Sequence, residues 1–454
     1  MNKSDIIIIG SGPGGYRAAE HAARNGLAVT IFECSHAGGT CLNSGCIPTK
    51  TLCRNAEILE TMRHAGAFGL DNLSFSLNFD TIMQRKRQVV STLREGVESL
   101  MQLPGITMVH AKASFKDSNT VVADGQEYTA PNIIIATGSL PKLPPIEGIQ
   151  LPGVLDSTQM LDITHIPGRL CIIGAGVIGM EMASVFSSLG SKVTVVEFLK
   201  ECLPTLDSDV AKRLRQAIAK RGVEFAMQSA VRSIRDNGVA DGEQQLCVEY
   251  EKKGKMYETC ADVVLVATGR RPNTDGLQLH NAGIEHTPKG IVTDDNFRTS
   301  VQGIYAIGDV NGKCMLAHAA TSQGLHVVNS ILGREDDILF DVMPSAIFTL
   351  PEAASVGPSE DQLKAEGKAY QCRKGFYRAN GKALAMGETD GLVKLIVSDD
   401  HEGRIIACHA FGAHAADMIQ EVAALINRQA TLSQLADIIH IHPTLSEIIH
   451  DMSM

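Results

Sequence analysis

The chain has 454 residues, 44% of them hydrophobic and 20% charged, enough to bury the cores of about three domains. With 51 acidic against 41 basic residues, a net charge of -10 and no long basic run, it offers little to nucleic acid or to an anionic membrane. Its eleven cysteines are odd in number and scattered, which argues against a secreted disulfide framework and predicts a reducing cytoplasm.

Met1-Asn-Lys-Ser-Asp leads straight into the apolar run Ile6 to Ile9, so no signal or transit segment is expected. No apolar run is long enough to cross a bilayer. Ile6 to Ile9 reads as a buried strand that enters Gly10-Ser-Gly12-Pro13-Gly14-Gly15. A helical stretch through Arg24 follows, then a strand from Ala28 to Phe32 ending at Glu33. In such a loop the first glycine permits the tight turn and the second lets backbone approach a pyrophosphate. The third lets helix and strand pack closely, and the helix amino terminus supplies N–H donors. Glu33 is placed to accept hydrogen bonds from a ribose diol.

Next comes Cys41-Leu-Asn-Ser-Gly-Cys46-Ile-Pro-Thr-Lys50. On a helix, with Gly45 permitting close backbone approach, the two cysteines can bring their sulfurs within bonding distance. Beside a nucleotide loop this reads as a reversible dithiol, against the alternatives of two buried cysteines or half of a zinc site. Lys50, one turn past Cys46, is placed to lower its pKa or is simply a surface lysine. The other nine cysteines read as small buried hydrophobes or idle thiols.

Ile133-Ile-Ile-Ala-Thr137-Gly138-Ser139 closes the first half, and Leu140 to Gly153, with four of the sixteen prolines, reads as a linker. The plan then repeats: strand Leu170 to Ile173, loop Gly174-Ala-Gly176-Val177-Ile178-Gly179, helix through Leu189, strand Lys192 to Val196, then Glu197. In both units the acid stands 23 positions after the first glycine. One such loop is weak evidence, whereas two in register are strong. Glu197 would repel the 2′-phosphate of NADP and so favours NAD; otherwise it is a solvated strand end. Two dinucleotides and a dithiol imply a flavin relaying electrons between a nicotinamide and a disulfide. Glu181 either faces the flavin-side lysine or merely complements its helix dipole.

Ala226 to Glu258 alternates like strands with polar turns, and Ile304 to Asp309 is another buried strand ending in Gly-Asp. Past Val342 the pattern becomes a separate α+β domain, with strands Leu392 to Val397 and Arg404 to Ala410 and helices near Ala415 to Arg428 and Leu432 to Ile439. In the tail, Thr444 and Glu447 have the form of a capping box, while His442 and Glu447 form an acid/base pair equally well. His440 is assigned a structural role, and no metal site is expected.

Together these motifs resemble the flavin-dependent pyridine nucleotide-disulfide oxidoreductases over essentially the full length. The likeness rests on the run through Cys41, Cys46 and Lys50, the paired loops, Ala306 to Asp309, Met315 to His318, Phe348 to Glu352, and His442 to Glu447. The resemblance implies an α/β chain with two Rossmann-like dinucleotide-binding domains and a C-terminal α+β dimerisation domain. The expected segments are 1–148 and 272–342 for FAD, 149–271 for NAD and 343–454 for dimerisation. By resemblance, Gly10, Gly12, Pro13, Gly14, Gly15, Glu33, Gly39, Thr40, Lys50, Ala113, Thr137, Gly138, Ser139, Asp309, Met315, Leu316, Ala317 and His318 would contact FAD. Gly174, Gly176, Val177, Ile178, Gly179, Glu181, Glu197, Val231 and Gly269 would contact NAD or the region beside the flavin. Cys41 would exchange with substrate and Cys46 would lie nearest the flavin. Lys50 and Glu181 would pair beside the ring, and His442 would be the acid/base oriented by Glu447. The implied reaction is oxidation of a dihydrolipoyl dithiol by NAD. It would be run by a homodimer serving a lipoyl-bearing protein of a 2-oxoacid dehydrogenase or glycine-cleavage complex. The alternative is a related NADH-dependent disulfide or metal reductase.

Overall fold

The computed structural model describes residues 2–240, 243–400 and 402–454. The chain separates into two compact units, one of Met1–Thr51, Asp80–Lys142 and Gly269–Ile338, the other of Leu52–Phe79, Leu143–Thr268 and Leu339–Met454. Among the described residues, no helix is long and apolar enough to cross a membrane.

The first unit is built on a five-stranded parallel sheet in the order Ile304–Ala306, Asn132–Ile135, Ile6–Ile9, Val29–Phe32, Ile106–Val109. Its central strands are isoleucine-rich and closed to solvent, as befits a parallel sheet covered on both faces. A smaller sheet, Asn2–Lys3, Gln126–Thr129, Thr120–Ala123 and Ala113–Phe115, carries Ala113.

The second unit repeats the parallel design in the order Val154–Leu155, Val263–Val266, Arg169–Ile173, Lys192–Glu197, Glu224–Met227. An antiparallel sheet of Ser229–Ala240, Glu243–Lys252 and Lys255–Ala261 is appended to it. The tail forms a five-stranded antiparallel sheet, Ser345–Ile347, Glu352–Val356, Ile405–Gly412, Leu392–Ser398 and Tyr370–Phe376. Helix Ala415–Asn427 buries Met418, Ile419 and Val422 in the core that this sheet shares. The expected α/β architecture with two parallel nucleotide-type sheets and an α+β tail is therefore what the chain builds.

Two local expectations need correction. Leu140 to Gly153 is no free linker. Ser139–Pro141 pairs with Arg270–Pro272, and the Glu147 carbonyl accepts from Ile234 N–H at 2.8 Å. A Cβ on Gly148 would sit 1.9 Å from the Ile234 carbonyl oxygen, so the proline-rich stretch is packed in place. The helix expected over Leu432 to Ile439 ends at Ala436, and Ile439 is 97% exposed, because its apolar spacing continued past the last helical hydrogen bonds. Of the nine cysteines read as buried hydrophobes or idle thiols, Cys34 is exposed and Cys260, Cys314 and Cys372 are partly so.

Candidate active site

The two glycine loops are built alike. Gly10 and Gly174 have φ of 104° and 107°, a region that disfavours a side chain, and a Cβ there would strike the carbonyls of Ala136 and Ala267. Gly15 and Gly179 let each helix descend onto its own loop, since an added Cβ would lie 1.9 and 2.0 Å from the Gly10 and Gly174 oxygens. Helices Pro13–Arg24 and Val177–Leu189 begin at Gly12 and Gly176 with no side-chain cap. A Cβ on either capping glycine would meet nothing within 4 Å, so both loops leave room beside a helix start that no side chain caps. That is the arrangement a dinucleotide pyrophosphate fits. Pro13 and Val177 are the first helical residues, with Gly14 and Ile178 next.

Glu33 and Glu197 are both only 8% exposed, which rules out the solvated-strand-end reading of Glu197. Glu33 accepts from Ser11 N–H at 3.0 Å, Ser11 Oγ at 2.6 Å and Ser35 N–H at 2.8 Å. Glu197 accepts from Ala175 N–H at 2.6 Å and Leu199 N–H at 2.7 Å. A carboxylate has about four lone-pair sites, so both retain capacity for a ribose, Glu197 more than Glu33. Nothing in the spacing singled out Ser11, whose loop position alone marks it.

The dithiol segment is two helices, Gly39–Ser44 and Cys46–Arg63, rather than one. Gly45 breaks the run with φ -145° and ψ -110°, and a Cβ there would press on the Thr40 oxygen and Cys41 Cα. The break folds Cys46 back toward Cys41. The hydrogen bond shared with Cys46, then burial, push the Cys41 thiol well above its ordinary range, opposed by the Lys50 ammonium. The field of Lys50 is thus felt at Cys41. The short helix, with Thr40 in its first turn, starts against the first nucleotide loop. Gly38 N–H donates to the Ser11 carbonyl at 3.0 Å, and a Cβ on Gly39 would lie 2.6 Å from Gly12 Cα. Asn43 donates to the Gly39 carbonyl at 2.9 Å and accepts from Arg94 Nε at 2.8 Å, a brace between residues 51 apart that no sequence spacing reveals.

In the same unit, Asp309 accepts from Ser139 Oγ at 2.5 Å, and Arg270 donates to that hydroxyl at 2.7 Å. Thr137 Oγ1 donates to the Asn273 carbonyl at 2.7 Å, and Asn273 N–H returns to the Gly138 carbonyl at 2.9 Å. The segment therefore sits beside Gly269–Pro272. Met315 is exposed, and Leu316 begins the uncapped helix Ala317–Ile331 that carries His318. Ala113 is buried at the start of its strand.

In the second unit Glu181 is 3% exposed and accepts from Phe348 N–H at 2.9 Å, so it does more than complement a helix dipole. Val231 lies half-buried on the appended sheet. In the tail, Glu447 divides its two oxygens between two partners. One oxygen accepts from Thr444 N–H at 2.7 Å, and the other meets His442 Nδ1 at 2.8 Å. The backbone bond and then the histidine keep this carboxylate below its ordinary pKa. The capping box is incomplete, however: the helix starts at Glu447, and the Thr444 hydroxyl is buried without a partner. His442 is 80% exposed, while His440 is packed against Glu421 at 2.6 Å, a structural position as expected.

Cys247, Glu258 and Cys260 place their ligand atoms within 4.8 Å of one another.

Residues 4–324 match the family model described as pyridine nucleotide-disulphide oxidoreductase, and residues 343–453 match the dimerisation domain of that family. The chain is 40% identical to a dihydrolipoyl dehydrogenase of Chlamydia muridarum, over 99% of this chain and 96% of that protein. It is 38% identical to one of Geobacillus stearothermophilus, over 98% and 94%. Among solved structures it is similar to the Cu(II) complex of the HOCl-induced flavoprotein disulfide reductase RclA from Escherichia coli. That likeness has a TM-score of 0.88 at 31% identity, covering 100% of this chain and 99% of the other.

Proposed function

This chain belongs to the pyridine nucleotide-disulphide oxidoreductases, flavoproteins that use FAD and NAD(H), and within them we propose that it is a dihydrolipoyl dehydrogenase. The observation that carries the reading is the dithiol segment seated on the first nucleotide loop, with the Cys41 and Cys46 side chains within hydrogen-bond reach. Segments 1–148 and 272–342 would hold FAD, 149–271 NAD, and 343–454 the dimer contact.

In this reading a thiolate of dihydrolipoamide attacks Cys41 Sγ of the Cys41–Cys46 disulfide, and Cys46 leaves as a thiolate. The second substrate thiolate then attacks the sulfur joined to Cys41, which releases oxidised lipoamide and leaves Cys41 reduced. Free thiols are mostly protonated at neutral pH, so a base is needed. His442 supplies it: with Nδ1 held by Glu447, Nε2 is the nitrogen that takes the proton. Bound FAD would supply the two-electron redox chemistry that links the dithiol to NAD. Lys50 and Glu181 would position the ring, Glu197 would hold the NAD ribose, and Asp309 the ribitol side of FAD. His442 would act in the partner subunit's site of a homodimer. A lipoyl-bearing protein of a 2-oxoacid dehydrogenase or glycine-cleavage complex would be the partner, in the cytoplasm.

The likeness to a flavoprotein disulfide reductase supports a second reading, NADH-driven reduction of another disulfide or a metal ion. Purified protein given free dihydrolipoamide and NAD separates the two. Rapid NADH formation is expected, and His442→Gln should slow it by about 10²–10⁴-fold while leaving electron transfer from NADH to an artificial acceptor intact. No NADH formation, alongside NADH-dependent reduction of another disulfide, would favour the second reading.

A further inference from the structure

Cys247 and Cys260 lie in the sheet appended to the second parallel sheet. The turn that joins their strands has Lys253 at φ 51° and Gly254 at φ 74°, the primed hairpin geometry that fixes register. From Lys252 opposite Lys255 the ladder runs without a shift to Cys247 opposite Cys260. Directly opposed residues share a face, and the two sulfurs stand 2.8 Å apart. Asn237 Nδ2 donates to Cys247 Sγ at 2.8 Å and fixes its direction. Cys247 is fully buried and Cys260 only partly, so a reagent meets Cys260 first.

We propose that Cys247 and Cys260 are a second redox dithiol, distinct from Cys41–Cys46, which closes to a disulfide by exchange with a low-molecular-weight disulfide. The nearby Glu258 raises a metal site as the rival. Two thiolates on one tetrahedral zinc, each at about 2.3 Å, stand about 3.8 Å apart. These sulfurs are much closer, and Glu258 is already held by Arg235 at 2.7 Å. Opposed residues of an antiparallel ladder have Cα atoms about 4.5–5.5 Å apart, within the reach of a disulfide.

With oxidised glutathione as reagent, the Cys260 thiolate attacks one sulfur, the reagent's S–S bond breaks, and one glutathione leaves as thiolate. The Cys247 thiolate then attacks Cys260 Sγ and expels the second. The cysteine pair loses two electrons and two protons, and two molecules of reduced glutathione carry them away. The product braces Lys255–Ala261, the strand that leads directly into Val263–Val266 of the second parallel sheet.

The test uses FAD-loaded wild-type protein in chelator-treated buffer, incubated with oxidised glutathione, alkylated and cut with trypsin. Lys252, Lys253 and Lys255 lie between the two cysteines, so their peptides separate unless the sulfurs are joined. A linked pair, lighter by two hydrogen atoms and released by reductant, is expected. Cys260→Ser should keep its basal activity and give no linked pair. Recovery of both cysteines alkylated, or of glutathione left on Cys260 with Cys247 alkylated, would overturn the proposal. So would protection of both thiols by added zinc with no linked pair on oxidation.

Discussion

The loops at Gly10 and Gly174 share a cradle down to its backbone hydrogen bonds, yet the chain leaves them differently. Beyond Glu33, the Ser11 carbonyl accepts from Gly38, and the dithiol helix starts there. Beyond Glu197, the equivalent carbonyl of Ala175 accepts from Leu203 N–H at 3.0 Å, and the chain goes on to helix Ser208–Lys220, capped by Asp207. One acceptor thus docks two unrelated segments. The nucleotide cradle is the reusable part, and the chemistry is set by what is laid across it.

Four experiments would break or sharpen this contrast, the largest effect first. Cys46→Ser should abolish dihydrolipoamide oxidation with FAD retained, and should remove the long-wavelength absorbance of a thiolate against oxidised flavin. Cys41→Ser should be equally inactive yet show that absorbance without reduction; a reversed pattern would exchange the two roles. Next, Gly15→Val and Gly179→Val each force a side chain into a carbonyl under 2.1 Å away, and overpacking of this kind costs about 1–3 kcal/mol or more. The first should empty the flavin site, visible as lost yellow absorbance. The second should spare the flavin and raise the KM for NAD. Loss of flavin from both would show that the loops are not independent.

Glu197→Arg comes third. Losing charge-assisted bonds to the ribose costs about 1.5–3 kcal/mol, around tenfold to a hundredfold in NAD affinity, while NADP use improves. A wild type that already prefers NADPH would remove this role for Glu197. Smallest is Ser11→Ala, which turns the first loop into a copy of the second at that position. Removing its hydroxyl bond to Glu33 should lower stability by about 0.5–1.5 kcal/mol, read by denaturant unfolding, with activity nearly unchanged.

Both glycine units were legible because strand, loop, helix and acid are local and periodic, and the structure places their elements within a residue or two. The dithiol was legible as a pair but not in shape, since only the backbone at Gly45 reveals two helices. Glu447 was ambiguous because a carboxylate has two oxygens: one takes the Thr444 N–H and the other meets His442 Nδ1, although no full capping box forms. The Cys247–Cys260 pair was overlooked although a hairpin centred on Lys253-Gly254 sets it in register; cysteines 13 apart look unrelated until the turn is recognised. Asn43 with Arg94 and Ser139 with Arg270 had no local signal, because tertiary packing alone unites them.

The bonds from Ser11, Ser35, Ala175 and Leu199 to the two glutamates join protein to protein. Much of the loss of chain entropy needed to shape each loop is therefore met during folding rather than at ligand capture. A dinucleotide then arrives at a rigid mould. Stripping the flavin should leave a receptive apoprotein, in which reloading is governed by encounter and not by refolding of the loop.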